Sequence, residues 1–208
     1  MNRTKTALLG TLFCAFLVAG LPRAGAAQTA SADKGALPPS PAQLWRQIRS
    51  LQHSQSMMPM THAFQPGSRT VDVYTTDLSN QAASAAIKAA GSIASVTRYP
   101  NGSLLVKENY NAKRQLTGVT AMLKLAFYDA ANRNWVMAAY SPVGKEVAFG
   151  QVASCDACHT MVSKSDFVFA PPPVQLLPAA VWKAFFPKQA MSPAYLALLA
   201  KYPDAVVK

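Results

Sequence analysis

Two of the chain's three cysteines fall in one pentapeptide, Cys155-Asp156-Ala157-Cys158-His159. Two thiols at this spacing, with a histidine directly after the second, form the attachment pattern for c-type haem. The thiols add across the two vinyl groups, and the neighbouring imidazole comes to lie under the iron as its proximal ligand. Other chemistries use the same residues. A redox disulfide of the thioredoxin kind wants a strand-to-helix context and leaves His159 without a task. A zinc site needs at least one further ligand, and the other histidines are His53 and His62. Chance pairing has little room, because the remaining cysteine, Cys14, lies far upstream. The expectation is one haem c, held covalently by Cys155 and Cys158, with His159 on the iron.

The class of haem protein turns on a second iron ligand. Electron-transfer cytochromes of the small c type attach haem near the start of an all-helical domain and complete the iron with a later methionine. Met191 is a candidate for that role, whereas Met161 stands too close to His159 to reach the opposite face. Most of the chain precedes the motif, and its pattern is strand-rich. An open distal site, with chemistry or gas binding there, is the better reading. His53 and His62 sit in a loop region and read as surface residues.

The elements that must position the motif can be read from periodicity and turn residues. Pro41 to Gln52 predicts a helix, with Ser40 as its cap and Leu44, Ile48 and Leu51 on one stripe. A Met-rich loop, Met57 to Gly67, follows. Arg69 to Thr76 alternates as a strand, and Ser79 to Ala90 reads as a short helix ending before Gly91. Tyr99-Pro100-Asn101-Gly102 is a turn leading into a strand from Ser103 to Tyr110. Val119 to Phe127 alternates, with Val119, Ala121, Leu123, Leu125 and Phe127 facing one way. A turn at Asn132 to Asn134 then leads into Trp135 to Tyr140. Consecutive strands with short turns predict an α+β fold, mostly antiparallel sheet, with a few short helices and a haem-attachment helix. Helical stretches are expected at Pro178 to Phe186 and Ser192 to Tyr202.

Composition narrows the class. Half of the 208 residues are hydrophobic and 14% are charged, which excludes wholesale disorder; three cysteines exclude a disulfide scaffold. The N-terminus has the parts of an export signal. Arg3 and Lys5 precede the uncharged run Ala7 to Leu21, which is followed by small residues at Ala24 to Ala27. The run falls short of the roughly 20 residues a membrane span needs. Cleavage near Ala26 and a periplasmic location are therefore expected. Losing Arg3, Lys5 and Arg23 takes the formal charge from +11 to +8. The basic residues are scattered singly, without a nucleic-acid motif, so nucleic acid is excluded as a partner. They read either as a solvated surface or as steering toward an acidic redox partner such as a small cytochrome. The expected divisions are residues 1–26 (signal peptide), 27–68 (leader and helix), 69–170 (haem domain) and 171–208 (helical tail).

Several segments, in order, resemble one family. They are Arg69 to Tyr74, then Tyr99-Pro100-Asn101-Gly102 running into Val106-Lys107-Glu108, then Met122 with Lys124. Trp135, the pentapeptide of Cys155 to His159, and Asp166-Phe167-Val168-Phe169 complete the series. The series is similar to the cytochromes P460 and their relatives, the cytochromes c′-beta. The resemblance implies a homodimeric, periplasmic, mostly β fold with one c-type haem. It further implies hydroxylamine oxidation if the P460 branch applies, with Lys107 matching the lysine that bonds to a porphyrin meso carbon and Arg69 matching a distal-pocket arginine. The cytochromes c′-beta share the fold but lack that bond, keep an apolar pocket and bind nitric oxide.

The residues themselves leave alternatives open. Alternation would put Arg69 with Val71 and Val73, and Lys107 with Ser103 and Leu105. A charged residue on such a face sits at a strand end, snorkels outward, or lines a functional pocket. Phe64 is a candidate aromatic wall for the same pocket. Glu108, Glu146 and Asp166 are candidate pocket acids, since the segment just before the haem motif has no carboxylate.

Overall fold

Leu104, Leu105 and Val106 are successive residues of one strand and all are buried, so the sheet they belong to must be covered on both faces. A computed structural model describes residues 37–61 and 64–208 and shows that arrangement. The expected signal peptide, most of the leader, and His62 lie outside the described residues. Among the described residues the chain builds a seven-stranded antiparallel sheet with five short α-helices, the α+β class read from the sequence. No described helix is long and apolar enough to cross a membrane.

Helix α1 (Pro41–His53) starts where its sequence dictates. The Ser40 side chain accepts from the Gln43 amide, the Gln43 side chain accepts from the Ser40 amide, and Pro41 occupies the first turn. Two-residue strands β1 (Met58–Pro59) and β2 (Gln65–Pro66) flank β3 (Tyr74–Ser79). Helix α2 (Gln81–Ala90) is capped by Asn80 and ended by Gly91 in the left-handed conformation. The meander then runs through β4 (Leu104–Tyr110), β5 (Leu116–Lys124), β6 (Trp135–Tyr140) and β7 (Glu146–Gly150), in spatial order β1-β3-β4-β5-β6-β7. The attachment helix α3 (Ala153–His159) follows, then α4 (Ala179–Phe185) and α5 (Pro193–Lys201).

The sheet has two dissimilar faces. Leu44 and Ile48 of α1 pack on Leu104, Val106, Val119, Ala121, Leu123 and Val136. Each fully buried aliphatic side chain in such a layer contributes about 1.5–3 kcal/mol. The opposite face presents Leu105, Met122, Trp135 and Met137, packed with Tyr99, Phe167 and Val168. Lys107 belongs to this second face, as alternation predicts.

Two readings need correction, and one strand went unread. The strand expected from Arg69 begins only at Tyr74. The Asp72 amide donates to the Arg69 carbonyl, closing a turn, while Gly67 to Thr70 bonds to the C-terminal region instead of the sheet. Val71 is exposed, so its alternation with Val73 mimicked a half-buried strand. Phe127, expected to face inward, is 66% exposed with positive φ, because the strand stops at Lys124 and a turn follows. Strand β7 carries no strong signal: it is a short edge strand whose first two residues are exposed.

Candidate haem-binding site

A cavity of about 310 Å³ opens on the second face of the sheet. One wall is built by cross-strand register. Asp77 pairs directly with Lys107, and Lys107 with Thr120, giving a polar row across three strands; Leu105, Met122 and Met137 form the adjacent apolar row. All six line the cavity. The second wall is α3, which contributes Cys155, Cys158 and His159. The sequence-predicted attachment residues and Lys107 therefore share one cavity.

The donor set suits a covalently attached haem. Both thiols are free, and burial pushes each above the usual thiol range; at Cys155 the neighbouring Asp156 adds to this and Lys107 opposes it. His159 Nδ1 lies 2.6 Å from the Phe167 carbonyl oxygen. A carbonyl only accepts, so Nδ1 carries the proton and the Nε2 lone pair is free to bind a metal. This is the outer-shell bond metal-binding histidines use to fix tautomer and ring orientation. Burial, helped by the Lys107 charge and opposed by the Phe167 bond, pushes the imidazole down to about 4, so it is neutral at pH 7. The Phe169 ring meets it edge-on at 5.5 Å.

A buried cluster holds that carbonyl in place. The Asp166 carboxylate accepts from Lys124 Nζ and from the Tyr99 amide, each at 2.7 Å, and its carbonyl accepts from Trp135 Nε1 at 2.7 Å. Tyr99 and Trp135 stack edge-to-face, with Lys124 Nζ 4.8 Å from the Trp135 ring centre. Pieces that stand far apart in the sequence (Tyr99, Lys124, Trp135, Asp166) thus converge on the segment that orients His159.

The other candidates fall elsewhere. Arg69 forms an ion pair with the buried Asp72, which also accepts from Thr117, and it is not among the cavity-lining residues. Phe64 stacks on Tyr74 and Tyr110 under Arg114, away from the cavity. Glu108 accepts from Gln52, Thr76 and Tyr110 on the α1 face, and Glu146 is exposed. Met191 bridges to Arg69. The carboxylate that does line the cavity is Asp77, which sequence reading missed. Burial raises its pKa and Lys107 opposes the rise. Its only signal is a cross-strand register between residues thirty positions apart, which no local pattern shows.

Among the described residues, no group of three or more His, Cys, Asp or Glu side chains assembles. Strand β7 does lead directly into α3, the strand-to-helix context a thioredoxin-type disulfide wants, but the sheet is antiparallel and that reading leaves His159, held by the Phe167 carbonyl, without a task. The antiparallel sheet and the cavity beside it suit a haem protein. The chain belongs to the cytochrome P460 family, whose model matches residues 45–170. Family membership implies a haem cofactor. A search of curated proteins finds no match to the chain.

Proposed function

We propose that the chain is an exported, periplasmic mono-haem c-type cytochrome that oxidises hydroxylamine, or a related small nitrogen species, at an open iron position. The observation that carries this reading is the shared cavity of Cys155, Cys158, His159, Lys107 and Asp77. Haem c held there would supply the redox-active iron at which the substrate is oxidised. Cys155 and Cys158 would tether it by thioether bonds, and His159, its Nδ1–H held by the Phe167 carbonyl, would bind the iron through Nε2. Lys107 is the residue for a bond to the porphyrin edge. Asp77 accepts a proton from the bound substrate as its nitrogen is oxidised, a task suited to a carboxylate whose pKa is raised. The protein works as a homodimer and passes electrons to an acidic partner cytochrome.

A second reading has its own support. Apart from Asp77, Lys107 and a few hydroxyls, the cavity is lined mostly by apolar side chains, as suits a nitric-oxide-binding protein of the c′-beta kind without turnover. One experiment separates the readings. The purified ferric protein should be five-coordinate and high-spin, and should oxidise hydroxylamine with an artificial acceptor. The acidic limb of its kcat/KM profile should disappear in Asp77→Asn. An untitrating amide cannot accept the proton, whereas the wild-type carboxylate loses that ability as pH falls through its raised pKa. Nitric oxide binding without hydroxylamine turnover would select the second reading. A low-spin iron would select an electron-transfer cytochrome.

A further inference from the structure

The family match ends at Ala170, yet residues beyond it build a third wall of the cavity. Gln175, Leu177, Trp182, Phe186 and Tyr195 line it. Trp182 and Tyr195 are almost fully buried, and the Trp182 and Phe186 rings lie 4.7 Å apart. The wall is held by its own bonds. Gln175 accepts from the Ala170 amide, the Tyr195 hydroxyl accepts from the Leu177 amide, and Trp182 Nε1 donates to the Gln189 carbonyl.

It is also docked on Gly67 to Thr70, where the Met-rich loop runs into the segment expected to be a strand. The Ser192 amide donates to the Ser68 carbonyl at 2.9 Å, its hydroxyl donates to the Gly67 carbonyl at 2.5 Å, and the Thr70 amide donates to the Ala190 carbonyl at 3.2 Å. Ser192 is fully buried. A side chain at Gly67 would overlap the Asp72 carbonyl oxygen, so the tight path there needs glycine. Arg69 and Thr117 hold Asp72 beneath this anchor, which gives Arg69 a structural task outside the cavity.

We propose that this aromatic wall sets the size of ligand admitted to the iron, passing molecules of a few heavy atoms and rejecting rings. The inference rests on the haem reading above. The physical argument is stiffness. Three aromatic side chains, two of them fixed by hydrogen bonds through Trp182 Nε1 and the Tyr195 hydroxyl, cannot yield cheaply to a bulky entrant. A steric wall of this kind discriminates by size while leaving the smallest ligands nearly untouched.

The test uses the full chain carrying covalent haem. Cyanide, imidazole and 4-phenylimidazole are titrated against the ferric iron. In Trp182→Ala/Phe186→Ala, 4-phenylimidazole should bind at least about tenfold tighter, with cyanide unchanged within about threefold. If that variant does not fold, Phe186→Val, at a ring that is only partly buried, should shift the same ligand in the same direction. Equal shifts for all three ligands, or no shift for 4-phenylimidazole, would overturn the proposal. A chain that carries no haem would contradict the functional reading instead. The wall is then read at the free thiols of Cys155 and Cys158: the variants should speed alkylation by a pyrene maleimide and not by iodoacetamide, and equal rates with both reagents would again overturn it.

Discussion

Lys107→Leu should keep the covalent haem and the fold while losing hydroxylamine turnover and the red-shifted ferrous absorption band expected of a lysine-bonded porphyrin. Lys107 stands in the middle of the polar row, between Asp77 and Thr120, and its charge is felt at Asp77, Cys155 and His159. Its side chain is exposed and lines the cavity, so it is placed to reach a haem held there. Leucine fits a position flanked by Leu105 and Met122 on the same face, which is why fold loss is not expected. Bonding to a porphyrin carbon would make the amine neutral and deform the macrocycle, two of the ways a protein tunes haem. The check is the ferrous spectrum together with a tryptic haem peptide. Wild-type peptide containing the Lys107 segment supports the P460 reading. An ordinary c-type spectrum, with a haem peptide free of that segment, places the protein on the c′-beta side.

Asp166→Asn should destabilise the chain by about 3–5 kcal/mol, because it leaves the Lys124 ammonium buried without its counter-charge. Both side chains are nearly inaccessible, at 8% for Lys124 and 1% for Asp166. Burial already pulls the Lys124 pKa below its ordinary value, and the Asp166 bond and charge are what oppose it. Asparagine tolerates the left-handed backbone at this position, so the effect isolates charge from backbone strain. Asp166→Asn combined with Lys124→Met removes both charges and should recover most of the loss, since a buried pair is worth little against an apolar replacement. Urea unfolding measures both. A single variant as stable as the wild type would show that the buried Lys124–Asp166 pair does not hold the cluster together.

The haem motif was legible because its chemistry is contiguous: one helix, α3, holds both thiols and the imidazole. Helix α1 was legible for a similar reason, its cap and apolar stripe lying within a dozen residues. The turn at Tyr99 to Gly102 announced itself through Pro, Asn and a glycine that takes positive φ. What stayed hidden is nonlocal. Asp77 enters the site only through its register opposite Lys107. Arg69 carried strand-like alternation, yet its segment bonds to Ala190 and Ser192 across the whole chain. The tail helices could be foreseen from Pro178 and Ser192, but not the cavity they close. Tyr99, Lys124, Trp135 and Asp166 were visible only as separate pieces of a resemblance; packing makes them one cluster.

The most direct test of the central claim is the intact mass of the protein expressed in a periplasm equipped for c-type haem maturation. The account predicts a processed chain heavier than its polypeptide by one haem, retained after acid extraction, and lost when Cys155 and Cys158 are both replaced by alanine. A wild-type chain with the bare polypeptide mass, under conditions that load a control c-type cytochrome, would contradict it.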